Sequence, residues 1–306
     1  MIDRDLINKV KSLKEEKNAI ILAHNYQIPE VQDIADFVGD SLDLAKRATK
    51  TDAKYIVFCG VNFMAESAKI LNPNKIVLHP DLSSRCPMAD MVNADDLRKF
   101  QDNNPDAATV AYVNTTAEIK ALSDICCTSS NAVKVIKSLR EKRIIFVPDR
   151  NLGLYVKRFV INKDILLWSG MCPTHHDMIK KEDVLKLKEM YPDAEILVHP
   201  ECRPEVIDIA DHVFSTNGMV KYVSKSTKDR FIIGTEEGLC YRLKKENPGK
   251  EFYPIKTAIC PDMKKFTVEK IISSLESLEP VLELPEHIMR MARKPLIRMM
   301  EIGRGD

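Results

Sequence analysis

Residues 75–88, KIVLHPDLSSRCPM, run from an apolar stretch into a Cys-Pro step at Cys86-Pro87, and that step recurs twice. Cys172-Pro173 follows DILLWSG (164–170) and Cys260-Pro261 follows EFYPIKTAI (251–259), so the three cysteines stand 86 and 88 residues apart. Each apolar run reads as a buried strand. One Cys-Pro is an ordinary turn. Three in register, one per third of the chain, indicate a unit repeated three times. Units packed around an axis can bring the cysteines together, where three thiolates call for a soft metal or an iron-sulfur cluster.

The rest of the chain supports that repeat. Residues 4–16 read as a helix. NAIILAH (18–24), ADFVGDS (ending at Ser41), KYIVFCG (54–60) and KIVLHPD (75–81) read as strands separated by amphipathic helices. The pattern restarts with ATVAYVN (108–114), DICCTSS, RIIFVPD and DILLWSG. It restarts again with AEILVHP (194–200), DHVFSTNG, RFIIGTE and EFYPIKTAI. RIIFVPD and DILLWSG are expected to be joined by a short connection. Glu30, Glu118 and Glu205 correspond, as do Asp36, Asp124 and Asp211, then Ser41, Ser129 and Thr216, then His24, Tyr112 and His199. Buried strands alternating with helices predict parallel sheets with crossover helices. The expected fold is α/β: three homologous αβα domains around a pseudo-threefold axis. The units span 1–85, 86–171 and 172–265, with helices of 266–306 packing on the first. The Met stripe Met289, Met291, Met299 and Met300 reads as packing.

Composition narrows the function classes. The 306 residues carry 46 basic and 45 acidic side chains, a formal net charge of +1, which argues against electrostatic binding to nucleic acid or membrane. No apolar run reaches the ~20 residues of a membrane span. The N-terminal MIDRDLINKVKSLKEEK reads as a charged amphipathic helix and not as a signal peptide. Eight cysteines without a signal peptide point to a reducing cytoplasm, where they serve as ligands, catalysts or core.

In open parallel sheets ligands bind beyond the carboxyl ends of the strands. The first strands end in His24 and Tyr26, Tyr112 and Asn114, and His199 and Glu201. Each pair is two residues apart, so an extended backbone points both side chains one way. The second strands end in Ser41, Ser129 and Thr216, which read as helix N-caps and also as anion ligands, since the two roles coexist. The last strands lead to the three cysteines. Such an inventory suits a small anionic substrate with several proton-transfer groups. His175, in Cys-Pro-Thr-His-His, reads as a site residue beside a metal, because no second Cys-His pair stands at zinc-finger spacing. Cys126 and Cys127 read as core or near-site residues, and Cys59, Cys202 and Cys240 as structural. Three ligands on a cubane cluster leave one iron open to substrate as a Lewis acid. A zinc with three thiolates is the weaker alternative, because thiolates blunt its Lewis acidity.

AHNYQIPEVQDIADFVGDS (23–41), YVNTTAEIKALSDICCTSSN (112–131), WSGMCPTHH (168–176), VHPECRPEV (198–206) and STNGM (215–219) resemble quinolinate synthase, the A-type enzyme of NAD synthesis. The resemblance covers residues 18–265. It implies three αβα domains and an oxygen-sensitive 4Fe-4S cluster on Cys86, Cys172 and Cys260. It also implies condensation of iminoaspartate with dihydroxyacetone phosphate to quinolinate, with loss of phosphate and two waters. Iminoaspartate would come from an aspartate oxidase or dehydrogenase. Substrate-binding residues carry over to His24, Ser41, Tyr112, Asn114, Ser129, His199, Glu201 and Thr216, and further active-site positions to Tyr26 and His175. Glu201 is the expected general base, with His199 and Tyr112 aiding proton transfer and Tyr26 and His175 acting on the triose portion. An aconitase-like 4Fe-4S hydro-lyase shares the three-cysteine logic and is the rival. A cluster-based sensor would need a basic DNA-binding run, which the sequence lacks.

Overall fold

The computed structural model describes residues 4–306; the first three residues of the N-terminal amphipathic stretch lie outside the described residues. The first unit runs α1 (Arg4–Lys17), β1 (Ala19–His24), α2 (Pro29–Ile34), β2 (Phe37–Gly39), α3 (Ser41–Lys50), β3 (Tyr55–Cys59), α4 (Asn62–Leu71) and β4 (Ile76–Leu78). The second runs α5 (Ala94–Asp102), β5 (Ala107–Tyr112), α6 (Ala117–Ala121), β6 (Ile125–Cys127), α7 (Ala132–Ser138), β7 (Arg143–Val147), α8 (Arg150–Lys157) and β8 (Asp164–Leu167). The third opens with the short α9 (Pro173–His176). It continues with α10 (Lys181–Met190), β9 (Glu195–Val198), α11 (Pro204–Ile207), β10 (His212–Val213), α12 (Thr216–Lys225), β11 (Arg230–Gly234), α13 (Leu239–Glu246) and β12 (Glu251–Pro254). Then come α14 (Val268–Ser277) and α15 (Glu286–Ile302).

Each unit forms a four-stranded parallel sheet with the same order, second strand, first, third, fourth. The fold is the expected α/β arrangement of three helix-flanked parallel sheets. β1 and β3 are buried almost throughout, as sheets covered on both faces require. Side chains from all three sheets, such as Leu22, Val110 and Leu197, share one central core. Outer cores lie under α1 and α14 on the first sheet, and under α10 and α11 on the third.

The matched aspartates explain why the unit repeats. In each sheet the second strand is too short to pair with the whole first strand. Asp36 Oδ2 accepts from Ile21 N–H, Asp124 Oδ2 from Thr109 N–H and Asp211 Oδ2 from Ile196 N–H, each at 2.8 Å. The aspartates' own N–H groups donate to the carbonyls of the same three residues. One side chain per unit therefore replaces a missing ladder bond, which a strand cannot leave unmade without cost.

Three expectations change. The short connection between RIIFVPD and DILLWSG contains α8, capped by Asp149 Oδ1, which accepts from Leu152 N–H at 2.7 Å. Gly153 does not break this helix; a Cβ there would stand 2.4 Å from Leu167, so glycine lets the helix close on its sheet. The run EFYPIKTAI is no buried strand. Only Glu251–Pro254 pairs, half-exposed, because it forms the edge of its sheet. The helices after residue 266 also divide: α14 packs on α1, whereas α15 lies against α6, β6 and α4. Met299 is buried there and Met291 is half-exposed.

Candidate functional site

The carboxyl ends of the strands surround one cavity of about 160 Å³. The first unit lines it with His24, Tyr26 and Ser41, and the second with Tyr112, Asn114 and Ser129. The third unit adds His175, His199, Glu201 and Thr216, and Cys86, Cys172 and Cys260 join the same wall. Every residue singled out from the sequence for this site thus lies on one cavity. Cys59, Cys126, Cys127 and Cys202 are buried elsewhere, and Cys240 packs against the central core.

Glu201 is the hub. Its Oε2 stands 2.9 Å from His175 Nδ1 and 3.2 Å from His199 Nδ1, and the two imidazoles lie 4.6 Å apart. Its Oε1 is buried without a protein partner. Burial works to raise the Glu201 pKa, but His175 and then His199 overcome it and hold the carboxyl well below the usual range. His199 Nε2 reaches Ser129 Oγ at 3.2 Å. Burial lowers the His199 pKa, with partial relief from Glu201. His24 is lowered to about 3, by burial first and then by His199. Its Nδ1 accepts from Tyr26 N–H at 3.2 Å, which leaves the ring proton on Nε2. Tyr26 and Tyr112 are pushed well above the usual phenol range by burial and then by Glu201. Both are neutral donors at working pH.

Sequence reasoning missed Thr235. Its hydroxyl lies 2.6 Å from Tyr26 Oη and 2.9 Å from His175 Nε2, so it links the two. It directly follows β11, which pairs with β9. Ends of the first, second and fourth strands were inventoried, but in this strand order the third strand flanks the first. That adjacency was the available signal. Asn25 was also missed: its amide donates to Thr216 Oγ1 at 2.8 Å, which frees the Thr216 proton for a ligand. The caps also shift by one residue. Asp40 and Ser215 cap α3 and α12, while Ser41 and Thr216 are the first helical residues. Ser129 lies in the turn ahead of Asn131, which precedes α7.

The loops that carry Cys86 and Cys260 are tied together. Ser84 Oγ donates to Asp262 O at 2.8 Å, and Arg85 N–H donates to Asp262 Oδ1 at 3.3 Å. Glu236 Oε1 accepts from Cys260 N–H at 3.2 Å and pairs with Lys264 at 2.8 Å. Burial, then Glu201 and Cys86, pushes the Cys172 thiol up, and burial does the same at Cys86 and Cys260. Three half-buried thiols that repel one another as thiolates suit a cationic group that would neutralise them. Among the described residues, donor atoms of Cys172, His175 and Glu201 gather within 4.8 Å of one another, whereas the three cysteine sulfurs do not form so tight a group. A single tetrahedral ion, with Zn–S near ~2.3 Å, needs the tighter spacing. The three cysteines are therefore too widely spaced to hold one tetrahedral ion between them.

A family model described as quinolinate synthetase A protein (NadA) matches residues 8–301. The chain belongs to the quinolinate synthase family. It is 55% identical over 303 residues to a quinolinate synthase of Thermodesulfovibrio yellowstonii, covering 99% of each chain. It is 54% identical over 305 residues to that of Geotalea uraniireducens, covering 99% of this chain and all of the relative. It is 50% identical over 303 residues to that of Methanosarcina barkeri, covering 99% of each. Membership makes the chain an enzyme of NAD biosynthesis, and condensation chemistry places it with the transferases. Among the described residues no helix is long and apolar enough to cross a membrane.

Proposed function

We propose that the chain condenses iminoaspartate with dihydroxyacetone phosphate to quinolinate, releasing phosphate and two waters. A 4Fe-4S cluster on Cys86, Cys172 and Cys260 is part of this reading. The observation that carries it is the common cavity of three cysteines, the Glu201 hub and the three hydroxyls. When bound, the cluster would supply a Lewis acid at the iron without a protein ligand. Cytoplasmic location and supply of iminoaspartate by an aspartate oxidase or dehydrogenase complete the proposal.

The chain's own groups supply binding and proton transfer. Ser41, Ser129 and Thr216 hold anionic oxygens of the substrates, with Asn114 and His24 as further donors. Asn114 Oδ1, like Glu201 Oε1, is a buried acceptor without a partner among the described residues, free to accept from a ligand N–H or O–H. Glu201 takes the carbon-bound proton through its Oε1. Its low pKa makes a free carboxylate a weak base, so His175 and His199 work with it: they share the charge at Oε2 and relay the proton. Tyr112 donates to developing oxyanions. Tyr26, His175 and Thr235 form a donor chain for the leaving hydroxyl of the triose portion.

The test is an anaerobic assay of cluster-reconstituted enzyme with iminoaspartate and dihydroxyacetone phosphate, read by quinolinate formation. Quinolinate is the expected product. Hydration or dehydration of a hydroxy acid with no quinolinate would favour the aconitase-like hydro-lyase instead. The donor set Cys172, His175 and Glu201 supports a second reading, a single metal ion. Iron and sulfide counts separate it from the cluster.

A further inference from the structure

Residues 303–306, Gly-Arg-Gly-Asp, follow α15 and lie outside the threefold repeat, yet they reach all three units. Arg304 Nη1 donates to Asp40 Oδ2 at 2.7 Å and to Asp43 Oδ2 at 3.2 Å. Arg304 Nη2 donates to Ser215 Oγ at 2.7 Å and to Asp306 Oδ1 at 2.8 Å. Gly305 N–H donates to Ser130 O at 2.7 Å, and Asn131 Nδ2 donates to Gly303 O at 3.0 Å. Ser215 N–H donates to Asp306 Oδ2 at 2.9 Å. Asp40, Ser130 and Ser215 are the chain neighbours of Ser41, Ser129 and Thr216. One tetrapeptide therefore ties together the three turns that present the cavity's hydroxyls.

The fit is specific. A Cβ on Gly218, in the STNGM stretch, would stand 2.5 Å from Asp306 Oδ2, and one on Gly305 would stand 2.9 Å from Ser130 O. Glycine at both positions lets the segment seat. Arg304 bridges the N-caps of α3 and α12, which come from different units. Its planar fork holds two acceptors at a fixed separation, which a point charge cannot do. None of residues 303–306 lines the main cavity, so the segment acts from behind it.

We propose that Arg304 is a positioning residue: through residues 303–306 it sets the spacing of Ser41, Ser129 and Thr216 and so the cavity's affinity for its anionic substrates. The inference rests on the reading that these hydroxyls bind substrate. Loss of the bridge lets the turns separate. Binding of ground state and transition state then weakens together, which raises KM and leaves kcat nearly intact.

The test uses cluster-loaded enzyme, with the cluster spectrum recorded on every sample. Arg304→Ala is expected to raise KM for dihydroxyacetone phosphate or iminoaspartate about ten-fold, with kcat within about three-fold. The Kd of malate, a stable C4 dicarboxylate, should rise in parallel. Arg304→Lys, which keeps the charge and loses the fork, should fall between wild type and alanine. Gly218→Ala, which leaves Arg304 in place and displaces Asp306, should move KM and the malate Kd in the same direction by less. If Arg304→Ala does not fold, these two variants carry the test. Ser129→Ala serves as reference. A raised KM in Ser129→Ala with unchanged KM and malate Kd in the folded Arg304 and Gly218 variants overturns the positioning role alone. Unchanged values in all of them overturn the hydroxyl-binding reading as well. A fall in kcat at constant KM in the Arg304 variants also contradicts the proposal.

Discussion

Asp36, Asp124 and Asp211 each accept from a first-strand N–H at 2.8 Å, the same bond made three times. A few residues away, at the other end of the same strands, the equivalent positions hold His24, Tyr112 and His199. His24 and His199 both accept at Nδ1 from the N–H two residues on, but His199 also reaches Ser129 Oγ and Glu201 Oε2, and Tyr112 has no imidazole to do either. The frame keeps the threefold repeat because each short sheet faces the same unpaired strand. The cavity departs from it, with an imidazole, a phenol and an imidazole–carboxylate pair at the three equivalent strand ends. Symmetry here reports what the fold requires, and its loss reports what the chemistry requires.

Frame and cavity should differ most at Glu201. Glu201→Gln removes the carboxylate from one of three equivalent positions and leaves the frame untouched. We expect turnover to fall about 10² to 10⁴-fold, the range for a missing acid–base group, with the cluster spectrum and malate binding retained. Near-normal turnover on a sample with an intact cluster would make Glu201 a positioning group and pass proton transfer to His199 or Tyr112.

The frame should behave the opposite way. Asp36→Ala, Asp124→Ala and Asp211→Ala should each lower unfolding free energy by about 1 kcal/mol, the scale of one lost hydrogen bond at a half-exposed position. The costs at Asp124 and Asp211 should agree, that at Asp36 should be larger by a few tenths of a kcal/mol through its ion pair with Lys14, and kcat should change little. Denaturant titrations of the three variants check this. A large kcat loss confined to one of them would mean that the frame is not symmetric in function.

A smaller effect links both regions through pH. His24 and His79 are both buried, and burial lowers both pKa values, that of His24 to about 3. The unfolded chain binds these protons below about 6.5; folded His24 does not until about 3, and folded His79 binds its proton at a lower pH than the unfolded chain does. Stability is therefore complete above about pH 6.5 and declines as pH falls, by about 1 kcal/mol for His24 at about pH 5.5. His79→Gln should reduce the slope of stability against pH in this window. An unchanged slope would mean that His79 already carries its proton in the fold.

The repeat was legible in the sequence because its signals are local. Apolar runs, the matched aspartates and the Cys-Pro steps recur at fixed offsets, and the strand-end rule then placed His24, Tyr112, Glu201 and the cysteines on one cavity. What stayed hidden depends on packing across units. Thr235 gains meaning only because β11 pairs beside β9 and faces Tyr26 of the first unit. α8 stands where the sequence reading has a short connection, and Gly153 within it serves contact with Leu167 and not a turn. Nothing in the neighbourhood of Arg304 along the chain announces Asp40 or Ser215.

In the proposed function three equivalent loops each give one thiolate to a single cluster. Iron content and the anaerobic absorption spectrum after reconstitution test it directly, on eight single Cys→Ser variants measured side by side. Cys86→Ser, Cys172→Ser and Cys260→Ser should each lose most of the cluster. Changes at Cys59, Cys126, Cys127, Cys202 and Cys240 should retain it wherever the chain folds. A full cluster without Cys172, or one that depends on Cys202, would contradict it.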